Sequence, residues 1–206
     1  MKIAPLEHTS VTVFPATPDR WRVMEELFGN RACWCQYWRQ SAGGYGRGTK
    51  ALLNERIADH RKSLRAQLEQ PFPPGVLAYI EDQAVGWCGF GPRSEMIRLV
   101  RSRTIPNIDD LPVWSIVCFM IRVGYRRRGV ARALLRGAIE CARKYGVPAL
   151  EAYPVDPGGK RIDTAFAYVG ILSMFEQEGF QRVLETSARS AGLPRWLVRL
   201  DLTSAS

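Results

Sequence analysis

Ten residues, Trp114 to Val123, are almost wholly apolar, and Arg126-Arg127-Arg128-Gly129 follows close behind them. The run predicts a central strand covered on both faces, because a strand with one face in water would alternate. From Val130 the period changes: Ala133, Leu134, Ala138, Ile139, Ala142 and Tyr145 share one helical face. A strand that passes through a glycine straight into a helix leaves the first helical amides without intrahelical partners. Those amides and the positive end of the helix dipole converge on one point, which favours a phosphate group. The segment therefore predicts an α/β fold and a phosphorylated ligand together.

The rest of the chain supplies more strands and helices. Val11 to Phe14 alternates as a short strand. Thr17-Pro18-Asp19 reads as a helix start, with Thr17 as N-cap and Pro18 at the first helical position. Trp21, Met24, Leu27 and Phe28 continue it, and Gly29-Asn30 ends it. Ser41 to Gly48 is a glycine-rich loop. Ala51 to Gln70 reads as a helix with Leu52, Leu53, Ile57, Leu64 and Leu68 apolar, stopped by Pro71, Pro73 and Pro74. Val76 to Ile80 and Ala84 to Phe90 form a hairpin, and Gly91 to Asp110 a polar connection. Gly86 and Gly89 mark places where that strand is approached closely or bulged. Gly146 and Pro148 close the helix that starts at Val130. Ala149 to Val155 is a strand, Pro157-Gly158-Gly159 a turn, Thr164 to Glu178 a helix, and Phe180 to Leu184 and Trp196 to Leu202 late strands. The order predicts a mixed α/β sheet with helices on both faces. At 206 residues the chain fits a single domain with a full core.

Composition excludes several classes. No stretch of eighteen apolar residues occurs, and Met1 to Ser10 lacks the apolar core of a signal peptide, so a cytoplasmic protein away from membranes is expected. Five scattered cysteines point to reduced thiols rather than a disulfide framework. Cys33-Trp34-Cys35 has no second ligand pair at zinc spacing, so no metal is expected. The net charge is +9, but its arginines spread along the chain and no nucleic-acid motif is visible. They read either as a solvated basic surface or as a basic cleft for polyanionic cofactors or acidic substrates, with no specific nucleic acid.

Arg126-x-x-Gly129-x-Ala131, after Phe119-Met120-Ile121 and Tyr125 and followed downstream by Gly179-Phe180, resembles the signature of the GNAT superfamily of acyl-CoA-dependent N-acetyltransferases. The resemblance spans Val76 to Leu202 and implies a mixed, mostly antiparallel central sheet flanked by helices on both faces. It implies acetyl-CoA as co-substrate, its pyrophosphate on Arg126, Arg127, Arg128, Gly129, Val130, Ala131 and Arg132. It also implies that the pantetheine arm pairs with the backbone of Phe119, Met120 and Ile121, an amide near Met120 polarising the thioester. Gly129 lacks Cβ and lets the backbone approach the ligand. The resemblance divides the chain into acceptor-side elements over about 1–75 and a cofactor core over about 76–202.

The catalytic end departs from the family pattern. The tyrosine that often protonates the departing thiolate falls at Phe175, which has no proton to give. Ser173 and Tyr153, or Tyr168 and Cys118, are the substitutes, and Glu151 is the favoured general base, since Trp114 to Val123 holds no carboxylate. On the acceptor side Trp34, Tyr37 and Trp38 offer aromatic faces for an amine, and Arg39 a partner for a carboxylate. The expected reaction is acetyl transfer from acetyl-CoA to a primary amine of a small molecule or peptide by direct attack. The alternative is a CoA- or acyl-CoA-binding module with little turnover. A homodimer is left open.

Overall fold

The computed structural model describes residues 10–31, 33–41, 49–160, 163 and 167–203. The glycine-rich loop, after Ser41, and the first residues of the helix expected from Thr164 lie outside the described residues.

One seven-stranded sheet organises the chain. Its strands are β1 (Val11–Pro15), β2 (Gly75–Ile80), β3 (Gln83–Pro92), β4 (Trp114–Ile121), β5 (Ala149–Ala152), β6 (Gln181–Ser190) and β7 (Leu193–Asp201). Their order in space is β1-β2-β3-β4-β5-β7-β6. Only β4 and β5 pair in parallel; every other neighbour is antiparallel. The helices are α1 (Trp21–Phe28), α2 (Lys50–Gln67), α3 (Ile97–Val100), α4 (Val130–Lys144) and α5 (Leu172–Glu176).

Side-chain alternation divides the core. Val76, Ala78 and Cys88 face one side, where Leu134, Leu135, Ala138 and Ala142 of α4 cover them. Leu77 and Trp87 face the other, beneath Met24, Leu27 and Phe28 of α1 and Leu64 of α2. A third cluster lies under the β6–β7 hairpin, where Met96, Leu99 and Ile105 meet Val117, Tyr153 and Leu197. The connection expected to be merely polar thus contributes three core side chains. Such clusters carry most of the stability, because each fully buried aliphatic or aromatic side chain contributes about 1.5–3 kcal/mol.

Several boundaries differ from expectation, each for a physical reason. Thr17 does not cap a helix: its Oγ1 accepts from Arg20 at 2.7 Å, and a 3₁₀ turn over Pro18–Arg20 precedes α1. In α2 the cap is Thr49, whose side chain accepts from the Leu52 amide. Leu52 and Leu53 are exposed, and the buried face is His60, Leu64 and then Leu68. β5 ends at Ala152, three residues early, because its partner β4 diverges from it. Among the described residues of the helix expected over Thr164 to Glu178, only one short turn, α5, is helical. Gly170 has φ +82° and Ile171 is extended, so no helix passes through them. The late strands are longer than expected and joined at Ala191-Gly192, whose positive φ values of 51° and 76° suit a two-residue hairpin turn.

Candidate active site

Where β4 and β5 separate, the sheet opens. The two strands pair only over Trp114–Ile116 and Leu150–Ala152, and β4 runs on to Ile121 with β3 on its other edge. The divergence exposes one edge of β4 to a cavity of about 960 Å³. Its walls include Cys118, Phe119, Met120 and Ile121 of β4, Arg126 of the loop, Ala131 of α4, and Tyr168, Ile171 and Met174 after β5. Phe28, Arg31, Cys33, Trp34, Cys35 and Tyr37 close the far side.

Backbone direction along β4 decides which groups face this opening. The Arg122 amide donates to Val85 of β3 at 2.9 Å, and the Phe119 amide donates to the Tyr168 carbonyl at 2.6 Å, on the opposite edge. Groups alternate between edges along a strand, so Phe119 and Ile121 share the open edge and the Met120 amide belongs to the β3 side. This corrects the expectation for Met120: its side chain forms wall, and its amide is committed to the sheet.

At the mouth of the cavity α4 begins. Gly129 caps it with φ +79° and no side-chain hydrogen bond, and the first intrahelical bond is Ala133 N to Gly129 O at 3.0 Å. The Val130, Ala131 and Arg132 amides therefore have no carbonyl one turn back to bond. A Cβ built on Gly129 meets nothing within 4 Å. Glycine stands here for its left-handed backbone, and the space above it is open. An uncapped fifteen-residue helix, an open glycine and a cationic side chain at one end of the cavity fit a pyrophosphate. Around this end, Arg126 lines the cavity, while Arg127, Arg128 and Gly129 are exposed outside it. Val130 is buried in the core. The Arg132 side chain turns away to Glu178, which also takes Arg136 at 2.8 Å.

None of the favoured catalytic residues reaches the cavity wall. Glu151 is 1% exposed. Its carboxylate accepts from Arg199 Nη2 at 2.6 Å and from the Tyr153 hydroxyl at 2.9 Å, with Arg93 at 3.5 Å. It is committed to a buried clamp that joins β5 to β7 and to the Arg93 turn. Tyr153 sits in the same clamp, sharing a hydrogen bond with Ser115 at 3.0 Å; burial, then the neighbouring Glu151 charge, push its hydroxyl well up from the ordinary value. Ser173 is on the exposed face of α5. Phe175 is buried between Phe119 and Phe180, edge-on to both rings, so the usual acid position is part of the core.

Tyr168, one of the substitutes, does line the cavity, and burial pushes its hydroxyl up to about 12. It stays protonated at neutral pH. On the acceptor side Trp34 and Tyr37 are walls, whereas Trp38 is buried beneath Arg195. Arg39 is taken by Glu95 at 2.5 Å and by the Phe90 carbonyl. The arginine on the wall is Arg31 instead, and it is exposed. Sequence reasoning missed Arg31, Phe28 and Met174; their one signal was a place next to predicted element ends. No carboxylate is among the described lining residues. Nor do the described residues hold a cluster of three His, Cys, Asp or Glu suited to a metal, or a helix long and apolar enough to cross a membrane.

Comparison with known proteins places this geometry. The model of the acetyltransferase (GNAT) family matches residues 34–161. No curated protein matches the sequence. Solved structures share the fold at low identity. One is an acetyltransferase of the GNAT family from Streptococcus pneumoniae, at 16% identity and a TM-score of 0.51, covering 93% of this chain and 99% of that one. A second is an N-acetyltransferase from Staphylococcus aureus Mu50, at 14% and 0.51, covering 94% and 99%. A third is the PaiA N-acetyltransferase from Thermoplasma acidophilum in complex with coenzyme A, at 11% and 0.50, covering 93% and 99%.

Proposed function

The chain belongs to the acetyltransferase (GNAT) family, and from that premise we propose that it moves an acetyl group from acetyl-CoA to the primary amine of a small molecule or peptide. The observation that carries this reading is the continuity of one cavity. It runs from the start of α4, past the open edge of β4, to the aromatic wall of Phe28, Trp34 and Tyr37.

In this reading the α4 amides and Arg126 hold the pyrophosphate, and the β4 edge at the Phe119 carbonyl and at Ile121 aligns the pantetheine arm as an added strand aligns with a sheet, the Phe119 amide being taken by Tyr168. Acetyl-CoA supplies the acetyl group as a thioester. The residues hold amine and thioester side by side, and much of the rate enhancement is orientation. The amine loses its proton to water, because no carboxylate is among the described lining residues. Tyr168 supplies the proton that the departing sulfur takes and recovers it from solvent.

The wall also limits the acceptor. Among the described lining residues the charged ones are Arg31 and Arg126, so a polycationic amine meets repulsion there. An amine carrying an apolar or aromatic body and a carboxylate fits, with Arg31 as the carboxylate partner. A second reading, a CoA-binding module with little turnover, draws on the buried Phe175. A panel of amino acids, peptides and polyamines, each assayed for acetyl-CoA-dependent mass gain of the amine, separates the two. Acetylation of apolar amino acids or peptides supports transfer. Tight CoA binding with no acetylated product from any amine supports the module.

A further inference from the structure

Three of the five cysteines gather on the cavity wall: Cys33, Cys35 and Cys118. Cys118 stands directly across the ladder from Gly89. A Cβ placed on Gly89 falls 2.3 Å from the Cys35 sulfur, so Cys35 occupies the space that a side chain opposite Cys118 would fill. Facing side chains on an antiparallel pair have their Cβ atoms about 4.5–5.5 Å apart, which puts the two sulfurs within bonding reach after a small shift. The two thiols are close enough to shift each other's acidity. Trp34 and Cys35 both adopt left-handed backbone, with φ values of 42° and 58°. Such conformations persist in non-glycine residues only where surroundings impose them, and here they turn Cys35 down onto the sheet.

The other cysteines are placed differently. Cys88 adjoins Gly89 and therefore points to the opposite face, into the α4 core, as Cys141 does. The Trp87 indole nitrogen lies 3.0 Å from the same empty Gly89 position, near the Cys35 sulfur, and has no hydrogen-bond partner. The Cys118 hydrogen bond holds the Cys35 thiol below its ordinary value against the effect of burial, with the Trp87 N–H and the Arg39 charge acting the same way. Cys118, as donor, is held above it. Two adjacent thiols of unequal acidity are the arrangement of an attacking and a resolving cysteine.

We propose that Cys35 and Cys118 form an oxidisable dithiol on the cavity wall, converted by hydrogen peroxide to a disulfide. The Cys35 thiolate attacks one peroxide oxygen; the O–O bond breaks, water leaves, and Cys35 becomes a sulfenic acid. Cys118 sulfur then attacks the Cys35 sulfur, the S–O bond breaks, and a second water carries away the oxygen. Two thiols are oxidised and one peroxide reduced. The bond ties the segment carrying Trp34 to β4 and narrows the cavity at its acceptor end.

The test uses the full chain, fully reduced, then treated with hydrogen peroxide, alkylated and digested with trypsin without reductant. The expected result is loss of two of the five free thiols and linkage of peptide 32–39 to peptide 104–122, reversed by dithiothreitol. The linkage persists in Cys33→Ser and disappears in Cys35→Ser. Absence of that linkage in the wild-type chain, or its loss in Cys33→Ser, overturns the proposal. The readout is chemical, so it stands or falls independently of the acetyl-transfer reading.

Discussion

Glu151→Gln separates a structural carboxylate from a catalytic one. The wild-type carboxylate is buried to 1% and faces two arginines. Replacing it removes the charge and leaves the acceptor oxygen of the amide. Arg199 keeps Asp109, with contacts at 2.5 and 3.0 Å, but Arg93, 8% exposed, loses its carboxylate partner and keeps only neutral ones, Tyr153 and the Pro106 carbonyl. Breaking a buried pair costs about 3–5 kcal/mol. The partial compensation argues for the lower end, about 3 kcal/mol. In a chain of this size each kcal/mol moves the midpoint by about 2–4 °C, so thermal unfolding should shift down by about 6–12 °C. Acetyl transfer measured well below that midpoint should stay within about twofold of wild type, because Glu151 does not reach the cavity. Unchanged thermal stability with a hundredfold loss of kcat refutes the reasoning and restores Glu151 as the base.

Further outcomes follow from the same geometry. Tyr168→Phe removes the only protonated hydroxyl assigned a role on the wall and should lower kcat by about 10- to 100-fold with KM for acetyl-CoA near wild type; an unchanged kcat assigns the proton to water. Tyr168 and Tyr153 both have hydroxyls raised by burial. Their neutral forms are favoured in the folded chain, so stability is full below pH 10 and falls as the pH rises from about 10 through 12. A thermal midpoint constant across that window in the wild type, and equally so in Tyr168→Phe, contradicts this.

Much of the fold was legible because the physics involved is local. Alternation located β1, two short runs about a turn located β2 and β3, the apolar run located β4, and a clean helical face located α4. The strand, glycine and helix start proposed to hold the cofactor were legible for the same reason: they are adjacent in sequence. The acceptor end was not. Arg39 and Arg31 look alike in sequence, and only the distant Glu95 decides which one is consumed. Glu151 reads as a lone carboxylate until β7 brings Arg199 opposite it. The Tyr168 segment reads as helix until Gly170 turns it against the β4 edge. Each failure concerns a partner far away in the chain. Gly89 is the reverse case: its lack of a side chain signalled a close approach, and the approaching atom is the Cys35 sulfur.

Calorimetric titration of coenzyme A into the wild-type chain and into Ala131→Glu tests the central assignment most directly. Ala131 lines the cavity in the first turn of α4. An acidic residue there is favourable to the helix dipole, so the fold should hold, and circular dichroism and the thermal midpoint verify that it does. The new carboxylate occupies and charges the place assigned to the pyrophosphate. The account predicts micromolar-range binding by the wild type and at least a hundredfold weaker binding by the folded variant. Equal affinity in the two proteins contradicts it.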